Sequence, residues 1–200
     1  QPLLLAAFAA GGAGEALRIN AARIEAGLLW FLYVSIHKEA TTCTANTADC
    51  DSGYAYYTGG EAREAGLGLA HDLRVLDPTA HDRVWDGLLA VRCWRDLDQA
   101  IPAADLARRD QAIRQLDVAL LRGIAVLVRV RTVELMGASG EDRAALWASL
   151  QILGAVLGRE ASERDPTAAA TLAAELARAD PDAVDAAQIL AVLDTVFPCP

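Results

Sequence analysis

Alanine fills 42 of the 200 positions, and this abundance narrows the folds open to the chain more than any other feature. Alanine is the strongest helix former and a poor strand residue, so a chain built this way favours helices. Hydrophobic residues reach 54% but aromatics only 6%. Apolar residues recur at spacings of three, four and seven, and no alternating run of useful length is present. The reading is an all-α domain covering residues 1–200, packed as an antiparallel helical bundle of about six or seven helices.

Local punctuation supports that reading. Asp77-Pro78, Asp165-Pro166 and Asp180-Pro181 each pair an N-cap carboxylate with proline at the first helical position. A first helical stretch runs from about Leu3 to Ala40, weakened at Gly11, Gly12 and Gly14, with Leu17, Ile24, Leu28, Phe31 and Leu32 as its apolar stripe. A weaker stretch covers Glu61 to Leu76, and a clear helix runs from Pro78 to near Ile101. The longest helix spans about Ala104 to Met136 and ends at Gly137. Ser139 with Asp142 resembles a capping box for a helix carrying Trp147, Leu150 and Leu153. Helices over Pro166 to Ala179 and Pro181 to Val196 complete the chain.

Residues 41–60 break the pattern. Cys43 and Cys50 flank six small or polar residues, which reads as an irregular loop closed by a disulfide. A second bridge, Cys93 to Cys199, would pin the C-terminal tail. An even cysteine count with a short local loop points to an oxidising, extracytoplasmic compartment, whether periplasm, secreted medium or cell surface. The alternative is four free thiols in a cytosolic protein. The chain opens on Gln1 rather than Met, which fits a processed product. The apolar run Leu3 to Ala10 is read as the buried start of the first helix rather than the tail of a signal peptide. It is too short to span a bilayer, and no transmembrane segment is expected.

Net charge is −9, which disfavours nucleic acid and anionic membranes as partners. The high apolar fraction makes homo-oligomerisation plausible. Enzyme signatures are missing: there is no Gly-x-Ser-x-Gly elbow, no phosphate loop and no Glu-x-x-His pair. No cofactor is therefore expected. The alternative is a metal ion held by His37, Glu39, His71 and His81, each histidine having a carboxylate close in sequence. Adjacent residues on a helix diverge by about 100°, so the His-Asp pairs do not chelate together, and the capping interpretation is preferred. Arg92, Arg95, Arg122 and Arg129 with Asp96, Asp98 and Asp117 are read as a solvated face rather than an internal ion network.

The oddest feature is Tyr54, Tyr56 and Tyr57 before Gly59-Gly60. Tyrosine joins apolar area to a polar tip, so the cluster, presented by the disulfide loop, could contact a protein or small-ligand partner. The competing reading has the tyrosines capping the helices and burying the loop.

The segment Ile24-Glu25-Ala26-Gly27-Leu28-Leu29-Trp30 resembles imelysin-like proteins, which are extracytoplasmic helical bundles linked to iron handling. The resemblance covers seven residues. The family's Gly-x-His-x-x-Glu pattern would place histidine at Ala22, so the metal motif is not intact. The resemblance implies a bundle in the cell envelope, with Glu25 the one ligand position carried over.

Overall fold

The computed structural model describes residues 2–43, 45–94 and 103–198. Among them every regular element is helical. There are ten α-helices: α1 (Pro2–Gly12), α2 (Leu17–Thr42), α3 (Thr47–Thr58), α4 (Leu69–Leu76), α5 (Pro78–Cys93), α6 (Ala103–Gly137), α7 (Gly140–Val156), α8 (Gly158–Arg164), α9 (Pro166–Leu176) and α10 (Ala186–Val196). Two 3₁₀ turns, Arg63–Ala65 and Pro181–Ala183, link neighbours. The all-α expectation holds.

The helix number does not, since three more helices exist than the periodicity suggested. The first stretch divides at residues 13–16, where Gly14 (φ 81°) and Ala16 (φ 40°) adopt left-handed backbone. A second division at Leu157 and Gly158 separates α7 from α8. The third addition is α3, inside the segment expected to be an irregular loop.

Capping chemistry explains several boundaries. Asp77 Oδ1 accepts from the Ala80 amide at 3.0 Å, and Asp165 Oδ1 accepts from Thr167 and Ala168. Asp180-Pro181 opens only the 3₁₀ turn, and Asp185 restarts the chain by accepting from Gln188 N–H. The expected helix from Pro181 is thus shortened to α10. Ser139 occupies the N-cap of α7 without a side-chain cap bond, and Asp142 pairs with Arg18 instead of completing a capping box.

The chain forms two compact units, Gln1–Trp30 with Ile124–Pro200, and Phe31–Gly123. In the first, Leu150, Leu153, Leu157, Leu172, Ile189 and Leu193 form the buried core. Gly27 lets Leu4 approach closely, since a Cβ there would lie 2.4 Å from Leu4 Cδ2. The Trp147 indole donates to the Arg178 carbonyl at 3.0 Å. Glu175, almost wholly buried, accepts from Arg178 and from the Asp185 amide, tying α9 to the turn before α10. The Arg178 guanidinium, helped by that amide, holds the Glu175 carboxyl below the ordinary carboxylate value. The folded state therefore favours the ionised form. This contribution is complete at neutral pH and is lost as pH falls through the carboxylate range. Glu175→Gln should lower stability at pH 7 by about 1–2 kcal/mol and flatten the acid limb of the melting-temperature curve. An unchanged acid limb would assign that limb to other groups.

In the second unit the core is Ile36, Tyr57, Leu69, Leu73, Val84, Leu88, Leu116, Leu120 and Leu121. Glycine again sets close approaches. A Cβ on Gly123 would fall 2.3 Å from Leu73 Cδ2. Arg122 pairs with Asp77 and Arg92 with Asp51, while in the first unit Arg129 pairs with Asp194. These partners differ from the aspartates nearest in sequence. Arg95, Asp96 and Asp98 lie outside the described residues.

The stripe on α2 also differs. Leu17, Leu28 and Phe31 are exposed, whereas Ala26, Leu29, Tyr33, Ile36 and Ala40 are buried. Both sets have helical spacing, and the inward set combines two alanines with Leu29, Tyr33 and Ile36. By length and composition α2 is the one described helix able to cross a membrane, with 33% of its most apolar stretch buried.

Candidate functional site: the aromatic cluster of α3 and α5

The cysteine staple sets α3 against α2. Cys43 and Cys50 form a disulfide with Cα atoms 4.8 Å apart. Asp49 accepts from the Asn46 side-chain amide at 2.6 Å and from the Thr42 hydroxyl, which closes the intervening turn. Helix α3 then buries Cys50, Gly53 and Tyr57, at helical spacing, and ends at Gly59 in left-handed conformation (φ 70°). The three tyrosines therefore sit on a helix, not on a loop, and helical geometry sends them in different directions. Cys93 is exposed, and its expected partner Cys199 lies outside the described residues.

Tyr57 is fully buried, and its hydroxyl lies 2.9 Å from His81 Nδ1. His81, also buried, places Nε2 3.0 Å from the Arg63 carbonyl. A carbonyl can only accept, so Nε2 carries the proton. Nδ1 is then an acceptor, and Tyr57 donates to it. Burial pushes the His81 pKa down, opposed by the Arg63 carbonyl bond, and burial pushes the Tyr57 pKa up. Both effects preserve the neutral pair.

Aromatic contacts surround this bond. Tyr57 and His81 stack with centroids 5.7 Å apart, and Trp85 lies 6.4 Å from His81. Tyr54 meets Trp85 edge-on at 5.4 Å and donates its hydroxyl to the Glu61 carbonyl at 2.7 Å. Arg63 lies over Trp85 at 5.8 Å and pairs with Asp82 at 2.6 Å and Asp86 at 3.3 Å. With both His81 nitrogens engaged by the fold, the cluster joins α3, the Arg63–Ala65 turn and α5 rather than offering a catalytic base. The parts missing from the sequence reading are Arg63 and Trp85. Trp85 follows His81 by four residues, a spacing that placed both on one face.

Tyr56 points the other way. It is 36% exposed and meets Phe31, 52% exposed, edge-to-face at 5.8 Å and 87°. Val34, one turn along from Phe31, is also exposed. Lys38, exposed one further turn along α2, pairs with Glu39 at 2.8 Å, which raises its pKa above the ordinary lysine value.

The candidate metal residues do not converge. His81 is enclosed as described. His37 Nε2 lies 3.9 Å from Asp117, His71 faces Arg74, and Glu39 accepts from Lys38 at 2.8 Å. Among the described residues no group of three or more His, Cys, Asp or Glu is placed to hold a metal ion. Glu25 pairs with Arg131 at 2.9 Å. No protein-family model, curated protein or solved structure matches the chain.

Proposed function

We propose that the chain is an extracytoplasmic binding or structural module of a cell envelope, and that it meets a protein partner through Phe31, Tyr56 and Val34. The observation that carries the contact is the exposed Phe31–Tyr56 pair, held in place because neighbouring Tyr54 and Tyr57 are anchored inward. Two aromatic rings left in water beside an exposed valine suit the apolar centre of an interface. Lys38, one turn further along α2, is paired with Glu39 at 2.8 Å, so the edge of the patch carries a closed ion pair and the contact suits a partner whose facing surface is apolar. The Cys43–Cys50 bond supports the oxidising compartment.

A photo-reactive residue at position 56 should crosslink in intact cells to a defined protein, and one at exposed Ser162 should not. Phe31→Ala with Tyr56→Ala should remove that adduct while changing stability by less than about 1 kcal/mol. Identical adducts from both positions would discard the surface. Mass measurement after alkylation of native protein tests the compartment, and full labelling of Cys43 and Cys50 without reductant would discard it.

A further inference from the structure

We infer that an open groove in the first unit binds a linear apolar chain ending in a carboxylate, as in a fatty acid. The groove runs beside α1, the start of α2 and α7, and encloses about 750 Å³. That volume lies within the range of small-molecule sites, about 300–1,000 Å³. Its apolar wall comes from Leu3, Ala6, Ala10, Ala148 and Ile152. Small side chains along α1 leave a channel for methylene groups and offer them no hydrogen bond.

One corner is polar and positively charged. Asn20, 3% exposed, donates Nδ2–H to the Glu15 carbonyl at 2.8 Å. That bond fixes the amide so that Oδ1 faces Arg23, whose Nη1 donates to it at 3.2 Å. Among the described residues this is the one acceptor bonded to the Arg23 guanidinium, which has five N–H donors in a planar fork. A carboxylate fits that fork in bidentate fashion. Helix α2 begins at Leu17, so the positive end of its dipole lies at the same corner. Ala16, in left-handed backbone at φ 40°, forms the turn that brings this corner to the groove.

Glu15 also lines the groove, and among the described residues its carboxylate makes no ion pair with Arg23. It opposes an anionic head, so the geometry gives a signed expectation: Glu15→Gln tightens carboxylate binding. A cationic head would show the opposite response.

The probes are laurate, dodecanol and dodecyltrimethylammonium, titrated calorimetrically into the intact chain below the concentrations at which they self-associate. Laurate should bind about tenfold more tightly than dodecanol, the worth of one charge-assisted pair. Arg23→Met should abolish that preference, and Glu15→Gln should increase it. Ala6→Phe, a change at an exposed groove wall, should weaken laurate and dodecanol alike. Equal affinity for laurate and dodecanol overturns the proposal, as does tighter binding of the cationic probe. Laurate binding unaltered by Ala6→Phe places the ligand elsewhere, and absence of laurate binding removes the site. Thermal melts of each variant separate loss of binding from loss of fold.

Discussion

Tyr57→Phe is expected to lower stability by about 1–3 kcal/mol, although it removes a single oxygen. The hydroxyl is the donor that satisfies His81 Nδ1 inside the second unit. Phenylalanine fills the same volume but leaves that nitrogen buried without a donor. Tyr57→Ala adds a cavity and should cost about 3–5 kcal/mol. The two partners act as a unit, so a cycle through Tyr57→Phe and His81→Leu should show coupling of about 1 kcal/mol in urea melts. Additive losses would mean that the bond contributes nothing beyond packing.

The same pair gives a pH dependence with a definite sign. Burial holds His81 below its ordinary value of 6.5, so the unfolded chain binds the proton more readily. Stability is complete above about pH 6.5 and falls as the solution is acidified towards the folded-state value. A protonated ring would carry hydrogens on both nitrogens, and the Tyr57 hydroxyl would have to turn from donor to acceptor. His81→Leu should flatten the curve just below pH 6.5 and leave the lower limb attributed to Glu175. If the curve keeps its slope there, another group carries it.

What could be read from the sequence follows from how local each determinant is. The cap at Asp77 and the long α6 depend on residues adjacent in the chain, and both appear within a residue or two of expectation. Helix α3 does not depend on local preference. Thr47-Ala-Asp-Cys-Asp-Ser-Gly-Tyr contains several weak helix formers. It is helical because Cys50, Gly53 and Tyr57 pack inward and the disulfide fixes its first turn, and these are tertiary effects. The face of α2 was ambiguous for a different reason. Leu17, Leu28 and Phe31 lie on one side and Ala26, Leu29, Tyr33 and Ile36 on the other, both at helical spacing, so periodicity alone could not say which was covered. Large residues suggested the wrong side. The Tyr57–His81 bond joins residues 24 apart, and nothing at either position names the other. The cysteine pair was legible because its loop is short.

Replacing Cys43 and Cys50 by serine is expected to cost about 2–3 kcal/mol, the chain-entropy value for a sequence separation of seven. The distribution of that loss is more informative than its size. The staple holds only the first turn of α3, where Asp49 also binds Asn46 and Thr42. The last turn is held independently by Tyr57 on His81 and Tyr54 on the Glu61 carbonyl. Hydrogen exchange should therefore accelerate at residues 47–52 and change little at 55–58. Tyr56 belongs to the protected end, so the Phe31–Tyr56 contact should survive loss of the bridge, and the adduct from position 56 should persist in the serine variant. Uniform acceleration along α3, together with loss of the adduct, would show that the disulfide itself orients the aromatic surface. Retained binding would divide the labour differently: sulfur stabilises the turn, and the inward tyrosines set the direction of the outward one.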